Sequence, residues 1–245
     1  GMKGAQTKDN DFIEHLFVTT NHSTMLFFTD QGKCYWLKVH QIPQTARTSQ
    51  GRAIVNLIGC DPGEKVEAFV SVKEFNDNDY IVMCTKNGLF KRSKLSLYSK
   101  PRKGGIYAIK IKEKDQLIFA KLTHGDQDII LATSGGKAIR FSEEKVRAMG
   151  RTARGVRGMA LEKKAEVIAL ISLLGHETIL TVTQNGYGKR TRYEEFPVRG
   201  RGGKGVITIQ TNKRNGKVVG AVSVAEEDEI MLMTDQGTLV RQAGS

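Results

Sequence analysis

Six basic side chains, Lys91, Arg92, Lys94, Lys100, Arg102 and Lys103, fall within the stretch 88–105, which holds no acidic residue at all. Cations with no local carboxylate to pair with are suited to one task above others, the neutralisation of phosphates. Two later clusters have the same character. Lys137, Arg140, Arg147, Arg151, Arg154 and Arg157 are interrupted only by the acids Glu143 and Glu144, and Lys189, Arg190, Arg192, Arg199, Arg201 and Lys204 only by Glu194 and Glu195. Together with 32–52, these stretches carry 23 Lys and Arg against four acids, a net of +19 in 81 residues, while the rest of the chain is net negative at −7. Charge that merely solubilises a surface mixes its signs. A recurring positive segment instead suits a long polyphosphate, which releases condensed counterions on binding and needs few base contacts. Arg147, Arg151, Arg154 and Arg157 could also brace turns by donating to carbonyls, so about half of them are expected on phosphate.

Other chemistry finds little support. The five histidines, His15, His22, His40, His124 and His176, show no metal-ligand spacing, and Cys34, Cys60 and Cys84 form no Cys-x-x-Cys pair. Neither zinc nor a disulfide framework is indicated; reduced thiols in a cytoplasmic setting are expected, with no cofactor and no metal. Gly200-x-Gly202-x-x-Gly205 has the outline of a dinucleotide fingerprint, but Pro197 precedes it and the β-forming Val206-Ile-Thr-Ile209 follows it, where that fingerprint requires a strand and then a helix. No nucleophile elbow or paired acid and base stands out, so catalysis by this chain alone is not expected. Phe27, Phe28, Tyr35, Trp36, Phe90 and Phe141 sit in strand-like runs and read as core rather than as a base-stacking platform. No apolar run approaches the ~20 residues of a membrane span.

The elements that position these cations repeat. Thr29-x-x-Gly32, Thr85-x-x-Gly88, Thr133-x-x-Gly136, Thr183-x-x-Gly186 and Thr234-x-x-Gly237 each follow a β-rich run, as in Tyr80-Ile-Val-Met83 and Ile129-Ile-Leu-Ala132. A Lys or Arg follows each glycine within five residues (Lys33, Lys91, Lys137, Lys189, Arg241), and a second glycine follows later at Gly51, Gly104, Gly155 and Gly205. A period near fifty residues fits a propeller-type array of four-stranded blades. Each repeat reads as strand, turn, strand, basic loop, strand, turn, strand. In the second, 80–84 and 89–92 form a hairpin around Asn87-Gly88, 106–111 resumes β structure, and 116–122 is the last strand. The equivalent last strands are 65–72, 166–173 and 217–224, with short turns expected at 143–149 and 193–196. The fold class is therefore all-β, with five recognisable repeats in one domain, 1–245. Both ends read as incomplete: the fifth repeat stops before its basic loop, and 11–18 reads as the tail of an earlier one, as though cut from something longer.

Across essentially the whole chain, the repeats resemble the C-terminal domain of the DNA gyrase A subunit. The resemblance rests on Glu14-His-Leu-Phe17, Phe27-Phe-Thr-Asp-Gln-Gly-Lys33, Tyr35-Trp-Leu-Lys-Val39, Gly51-Arg-Ala-Ile54, Met149-Gly-Arg-Thr-Ala-Arg-Gly-Val-Arg-Gly158 and Gly186-Tyr-Gly-Lys-Arg190. It implies a β-pinwheel of hairpin-invaded blades that wraps duplex DNA on a basic rim. It also implies partners, the gyrase B subunit together with the rest of the gyrase A subunit, in ATP-driven negative supercoiling on the nucleoid. The family's signature box, a Gln, two basic residues, Gly-Gly, a basic residue and Gly, belongs to the first blade, and the opening Lys3-Gly4 sits just after where it would be. Arg201-Gly-Gly-Lys-Gly205 reproduces only its second half, with Arg199 and Gly200 in place of the Gln and the first basic residue. Two alternatives stay open: the related topoisomerase IV protein, which binds DNA without a full wrap, and a protein-binding propeller scaffold.

Overall fold

Thr29, Thr85, Thr133 and Thr183 are buried, and each does the same work. The Thr carbonyl accepts the N–H of the glycine three residues on at 3.0–3.1 Å, and the Thr hydroxyl accepts the N–H of the residue after that glycine at 3.1–3.4 Å. A side chain that closes its own turn is what Thr supplies and Val cannot. The glycine answers a second demand. Gly136 sits at φ +83°, and a Cβ there would fall 2.2 Å from the Ile209 carbonyl oxygen. Its carbonyl accepts Thr208 N–H at 2.8 Å, as Gly32 O accepts Ala108 N–H at 2.8 Å and Gly88 O accepts Gly158 N–H at 2.9 Å. Each of these three turns is thus a docking point for the chain of the following repeat.

The computed structural model describes residues 23–42 and 56–224, together with the backbone of Glu229–Met233 and Leu239–Ala243. The first sheet contains β1 (Thr24–Thr29), β2 (Lys33–Lys38), β3 (Val66–Val72) and, from the next repeat, β6 (Ile106–Tyr107), in the order β3-β1-β2-β6. The second is built from β4 (Tyr80–Thr85), β5 (Leu89–Lys94), β7 (Leu117–Thr123) and β10 (Val156–Arg157), in the order β10-β5-β4-β7. The third comprises β8 (Asp128–Thr133), β9 (Lys137–Ser142), β11 (Val167–Ser172) and β14 (Val206–Ile207), in the order β11-β8-β9-β14. A three-stranded sheet, β13-β12-β15, follows from β12 (Thr178–Thr183), β13 (Gly188–Arg192) and β15 (Val218–Val224), and then the hairpin of β16 (Glu229–Met233) and β17 (Leu239–Ala243).

The strand-to-strand pairings are antiparallel, with one isolated parallel bridge from Arg140 to Val198, and the fold is all-β in repeated four-stranded blades, as the period indicates. The four last strands begin within a residue of their expected starts. The third strand differs. Of the expected 106–111 only Ile106 and Tyr107 pair, with Cys34 and Lys33 of the preceding blade, because Gly32 O then captures the amides of both Ala108 and Ile109 and ends the ladder. The expectations for 11–18, Gly51 and the Thr234-x-x-Gly237 turn lie outside the described residues.

By its contacts the chain forms two compact units. One holds the described residues up to Met83 with 91–122 and 148–155; the other holds 84–90, 123–147 and the residues from 156 on. The core of the first gathers Leu26, Phe28, Val70, Ile81, Met83, Tyr98, Ile106 and Leu117 among others, with Phe28 edge-on to Tyr98 at 6.0 Å. In the second, Ile130, Ala138, Ile171, Ile179 and Phe196 cluster, and Phe90 meets Phe141 edge-on at 5.1 Å. Both faces of the first hairpin strand are covered, so Ile129, Ile130, Leu131 and Ala132 are all buried. Such strands read as continuous apolar runs instead of alternating ones.

After each of the first four hairpins the chain makes a single short 3-10 turn: Val39–Gln41, Leu95–Tyr98, Glu143–Lys145 and Tyr193–Glu195. Its first amide returns to the residue that opens the hairpin region, Val39 to Ser23 O, Leu95 to Asp79 O, Glu143 to Gln127 O and Tyr193 to Glu177 O, at 2.9–3.1 Å. This clamp fixes where every basic loop begins.

Candidate nucleic-acid interface

The cations divide by their place in the repeat. Those on the second hairpin strand are largely engaged inside the protein. Lys91 is fully buried, and its Nζ donates to Ala108 O at 2.5 Å and Arg151 O at 2.6 Å. Burial, followed by the nearby Arg151 guanidinium, lowers its pKa to about 7. Arg92 is 8% exposed, with its guanidinium 3.8 Å over the Tyr80 ring. Arg140 is bound to Asp128 Oδ2 by Nε at 2.8 Å and Nη2 at 2.7 Å, while Nη1 donates to Tyr193 O and Phe196 O. Lys137 lies 3.8 Å from Glu162, and Arg190 is half-buried.

Lys91 and Arg92 therefore do not belong with the exposed set, contrary to what a stretch without acids suggests. The missing acid is replaced by backbone carbonyls and an aromatic face, and neither shows in a charge count. Lys33, which follows the turn glycine of the first repeat as Lys137 does in the third, is spent likewise: Asp61 at 2.8 Å, first by its hydrogen bond, holds the Lys33 pKa above its ordinary value.

The loops between the 3-10 turn and the two-residue strand are different. Lys100, Arg102 and Lys103 before β6, Arg147 and Arg154 before β10 with Arg157 on it, and Arg199, Arg201 and Lys204 before β14 are all exposed. Lys94, Lys189 and Arg192 on the hairpins are exposed as well, and Arg151 is half-buried. The same step of three successive repeats thus presents cations to solvent. Lys110 adds another that sequence reasoning missed because it follows β6, outside the basic stretch. Its amide meets Ala153 O at 3.3 Å, beside the second of these loops.

These loops are held, not loose. Arg199 N–H donates to Arg140 O at 2.8 Å and Met149 N–H to Arg92 O at 2.8 Å, equivalent bonds in two repeats. In the Arg201-Gly-Gly-Lys-Gly205 segment, Gly202 N–H donates to Gly158 O at 2.7 Å, Gly203 O accepts Ala160 N–H at 2.8 Å, and Arg201 Nη1 reaches Arg157 O at 3.2 Å. A Cβ on Gly205 would fall 2.3 Å from Ala138 O. This glycine is required by the contact of β14 with β9, and the strand that follows it removes the dinucleotide reading. A preorganised backbone of this kind suits phosphate contacts, which depend on position more than on sequence.

Among the described residues no group of His, Cys, Asp and Glu is arranged to hold a metal, and no helix is long and apolar enough to cross a membrane. Cys34 and Cys84 are buried and Cys60 half-buried, and none of the three is in a disulfide. The hairpin aromatics Phe27, Phe28, Tyr35, Phe90 and Phe141 are buried and Trp36 partly so, in the packing role expected of them.

Comparison with known proteins agrees with this geometry. Over 241 residues the chain is 45% identical to the DNA gyrase A subunit of Salmonella typhimurium and 44% identical to that of Escherichia coli K12, in each case covering 98% of this chain. It spans only 27% and 28% of the length of those two relatives. Among solved structures, the C-terminal domain of DNA topoisomerase IV superimposes with a TM-score of 0.81 at 28% identity, covering 91% of this chain and 70% of that one. The DNA gyrase A C-terminal domain gives 0.77 at 26%, covering 92% and 74%. Residues 23–73, 79–124, 127–173 and 177–225, one stretch per blade, match the family described as DNA gyrase C-terminal domain, beta-propeller, and the chain belongs to that family.

Proposed function

We propose that this chain binds duplex DNA through the exposed cations of the loops before β6, β10 and β14, and bends it from blade to blade. In that role it is the non-catalytic DNA-wrapping part of a gyrase A subunit, which works with a gyrase B subunit in ATP-dependent negative supercoiling on the bacterial nucleoid. The observation that carries this reading is the division of labour among the basic residues. On the hairpins Lys91, Arg92 and Arg140 are consumed by carbonyls, a carboxylate and a ring, with Lys94, Lys189 and Arg192 left exposed, whereas Lys100, Arg102, Lys103, Arg147, Arg154, Arg157, Arg199, Arg201 and Lys204 are all exposed at one repeated step. Exposed cations on rigid loops neutralise phosphates without reading bases.

The test is a titration of duplexes of mixed sequence at several salt concentrations. A chain that contacts six or more phosphates loses roughly 10³-fold in affinity between low and moderate salt, with little dependence on sequence. A flat salt response defeats the reading. The somewhat higher structural likeness to the topoisomerase IV domain favours a second reading, binding without a full wrap. Fluorescence transfer between the ends of a long duplex separates the two, since only wrapping brings the ends together.

A further inference from the structure

The residue three places past each turn glycine underlies the basic loop of the following repeat. In the first repeat it is Tyr35, whose ring would lie 2.8 Å from a Cβ on Gly105. In the third it is Ile139, whose Cδ1 would lie 3.6 Å from a Cβ on Gly203. In the second it is Lys91, buried like the others but tipped with an amine that bonds the loop's own backbone at Arg151 O.

We propose that Lys91 is a positioning residue for DNA binding: it fixes the loop 148–155 from beneath, so that Arg151 and Arg154 are presented to phosphate in a set geometry. The inference rests on the DNA-binding reading above. Around Lys91 the loop is sewn at three further points, Met149 N–H to Arg92 O, Ala153 N–H to Gly150 O and Lys110 N–H to Ala153 O. Of these, Ala153 N–H to Gly150 O lies within the loop, and Lys91 Nζ adds a side-chain tie between the middle of the loop and the sheet below. Its second bond, to Ala108 O, anchors the same amine to the segment after β6. A cation placed here serves phosphate indirectly, by holding other cations, and has no exposed surface with which to serve it directly.

The experiment uses the whole chain and a double-mutant cycle. Lys91→Met keeps the buried stem and removes the donor. Lys91→Gln, which keeps a neutral NH2 group, is the second variant should the thioether not be accepted. Each is made alone and together with Arg151→Ala and Arg154→Ala, and hydrogen exchange is followed without DNA alongside salt-dependent affinity for a short duplex. The expected result is a loss of protection of about tenfold or more at the Met149 and Ala153 amides in Lys91→Met. The salt slope should fall by about one to two, corresponding to one or two phosphate contacts. In the background already lacking Arg151 and Arg154, the slope should not fall further.

Unchanged protection overturns the inference, and so does an equal loss of affinity in both backgrounds, which marks a general structural role. A wild-type chain that shows no salt-dependent binding defeats the DNA reading instead, and exchange at Met149 and Ala153 still decides whether Lys91 holds the loop.

Discussion

Trp36 and Arg140 stand at the same step of two repeats, four residues past the turn glycine, and each donates to the carbonyl that ends the next repeat's 3-10 turn region. Trp36 Nε1 reaches Tyr98 O at 2.7 Å and Arg140 Nη1 reaches Phe196 O at 3.3 Å. An indole and a guanidinium are chemically unlike, but both are planar N–H donors on a long, partly buried side chain. The position thus calls for a strut between adjacent blades, which in the third repeat is a cation whose charge is already paired with Asp128.

Arg140→Met should accordingly cost stability and leave phosphate contacts untouched. The substitution leaves Asp128 without its partner and removes the guanidinium bonds to Tyr193 O, which keeps the Phe196 N–H, and to Phe196 O, a loss of about 1–3 kcal/mol. Urea unfolding measures the cost, and the slope of duplex affinity against salt should equal that of the wild type. A reduced slope with unchanged stability would reassign Arg140 to the interface.

Two glycines with similar backbone angles separate strain from collision. Gly175, at φ +101°, has open space where a Cβ would go, while the Cβ of an alanine at Gly136 would meet Ile209 O at 2.2 Å. Gly175→Ala should cost roughly 1–2 kcal/mol, the expense of the left-handed conformation alone. Gly136→Ala adds overpacking and should cost ~3 kcal/mol or more. Thermal melting of the two variants checks the order, and equal costs would mean that the turn does not dock the next repeat as described.

Much of this fold is legible in the sequence because one local rule is written repeatedly. The Thr-x-x-Gly turn, the apolar run before it and the last strand are each set by contacts within a repeat, so their residues carry the pattern. The third strand is set by the preceding blade's edge, which accepts two residues and then diverts the chain at Gly32, and nothing in 106–111 itself records that limit. The candidate site, as proposed, is legible as a set of loops and not as a set of residues. Lys91 and Arg92 look like ideal phosphate ligands by charge alone. The signal that could have removed Lys91 is its alignment with Tyr35 and Ile139, two residues with no charge to offer.

Lys91 also imposes a pH dependence. Folding lowers its pKa from 10.5 to about 7, through burial first and the Arg151 guanidinium second, and no carboxylate opposes the shift. Between these values the unfolded chain binds more protons than the folded one, so this residue's contribution to unfolding free energy rises as pH rises from about 7 towards 10.5 and is lowest below about 7. Denaturant unfolding of wild type and Lys91→Met at about pH 6.5, 8 and 9.5 isolates the effect. The wild type should gain stability relative to the variant across that series. A constant difference would mean that the amine keeps its proton throughout.

The remaining question is whether the loops act in concert. If the cations before β6, β10 and β14 follow one another along a bound duplex, the DNA must bend to meet all of them. Bending 20–30 bp by 40–90° costs on the order of 1–6 kcal/mol, which only simultaneous engagement of several blades offsets. Neutralising a single loop then weakens the bend disproportionately. The variant for this purpose is Lys100→Ala with Arg102→Ala and Lys103→Ala, three exposed cations that avoid the buried Lys91 and Arg92 on the same repeat. End-to-end fluorescence transfer on a ~100 bp duplex should fall by a larger factor than affinity for a ~15 bp duplex, which occupies only part of the surface. Equal losses in the two measurements would show that each loop is an independent adhesive patch, and the blade-to-blade bending proposed for this chain would have to be given up.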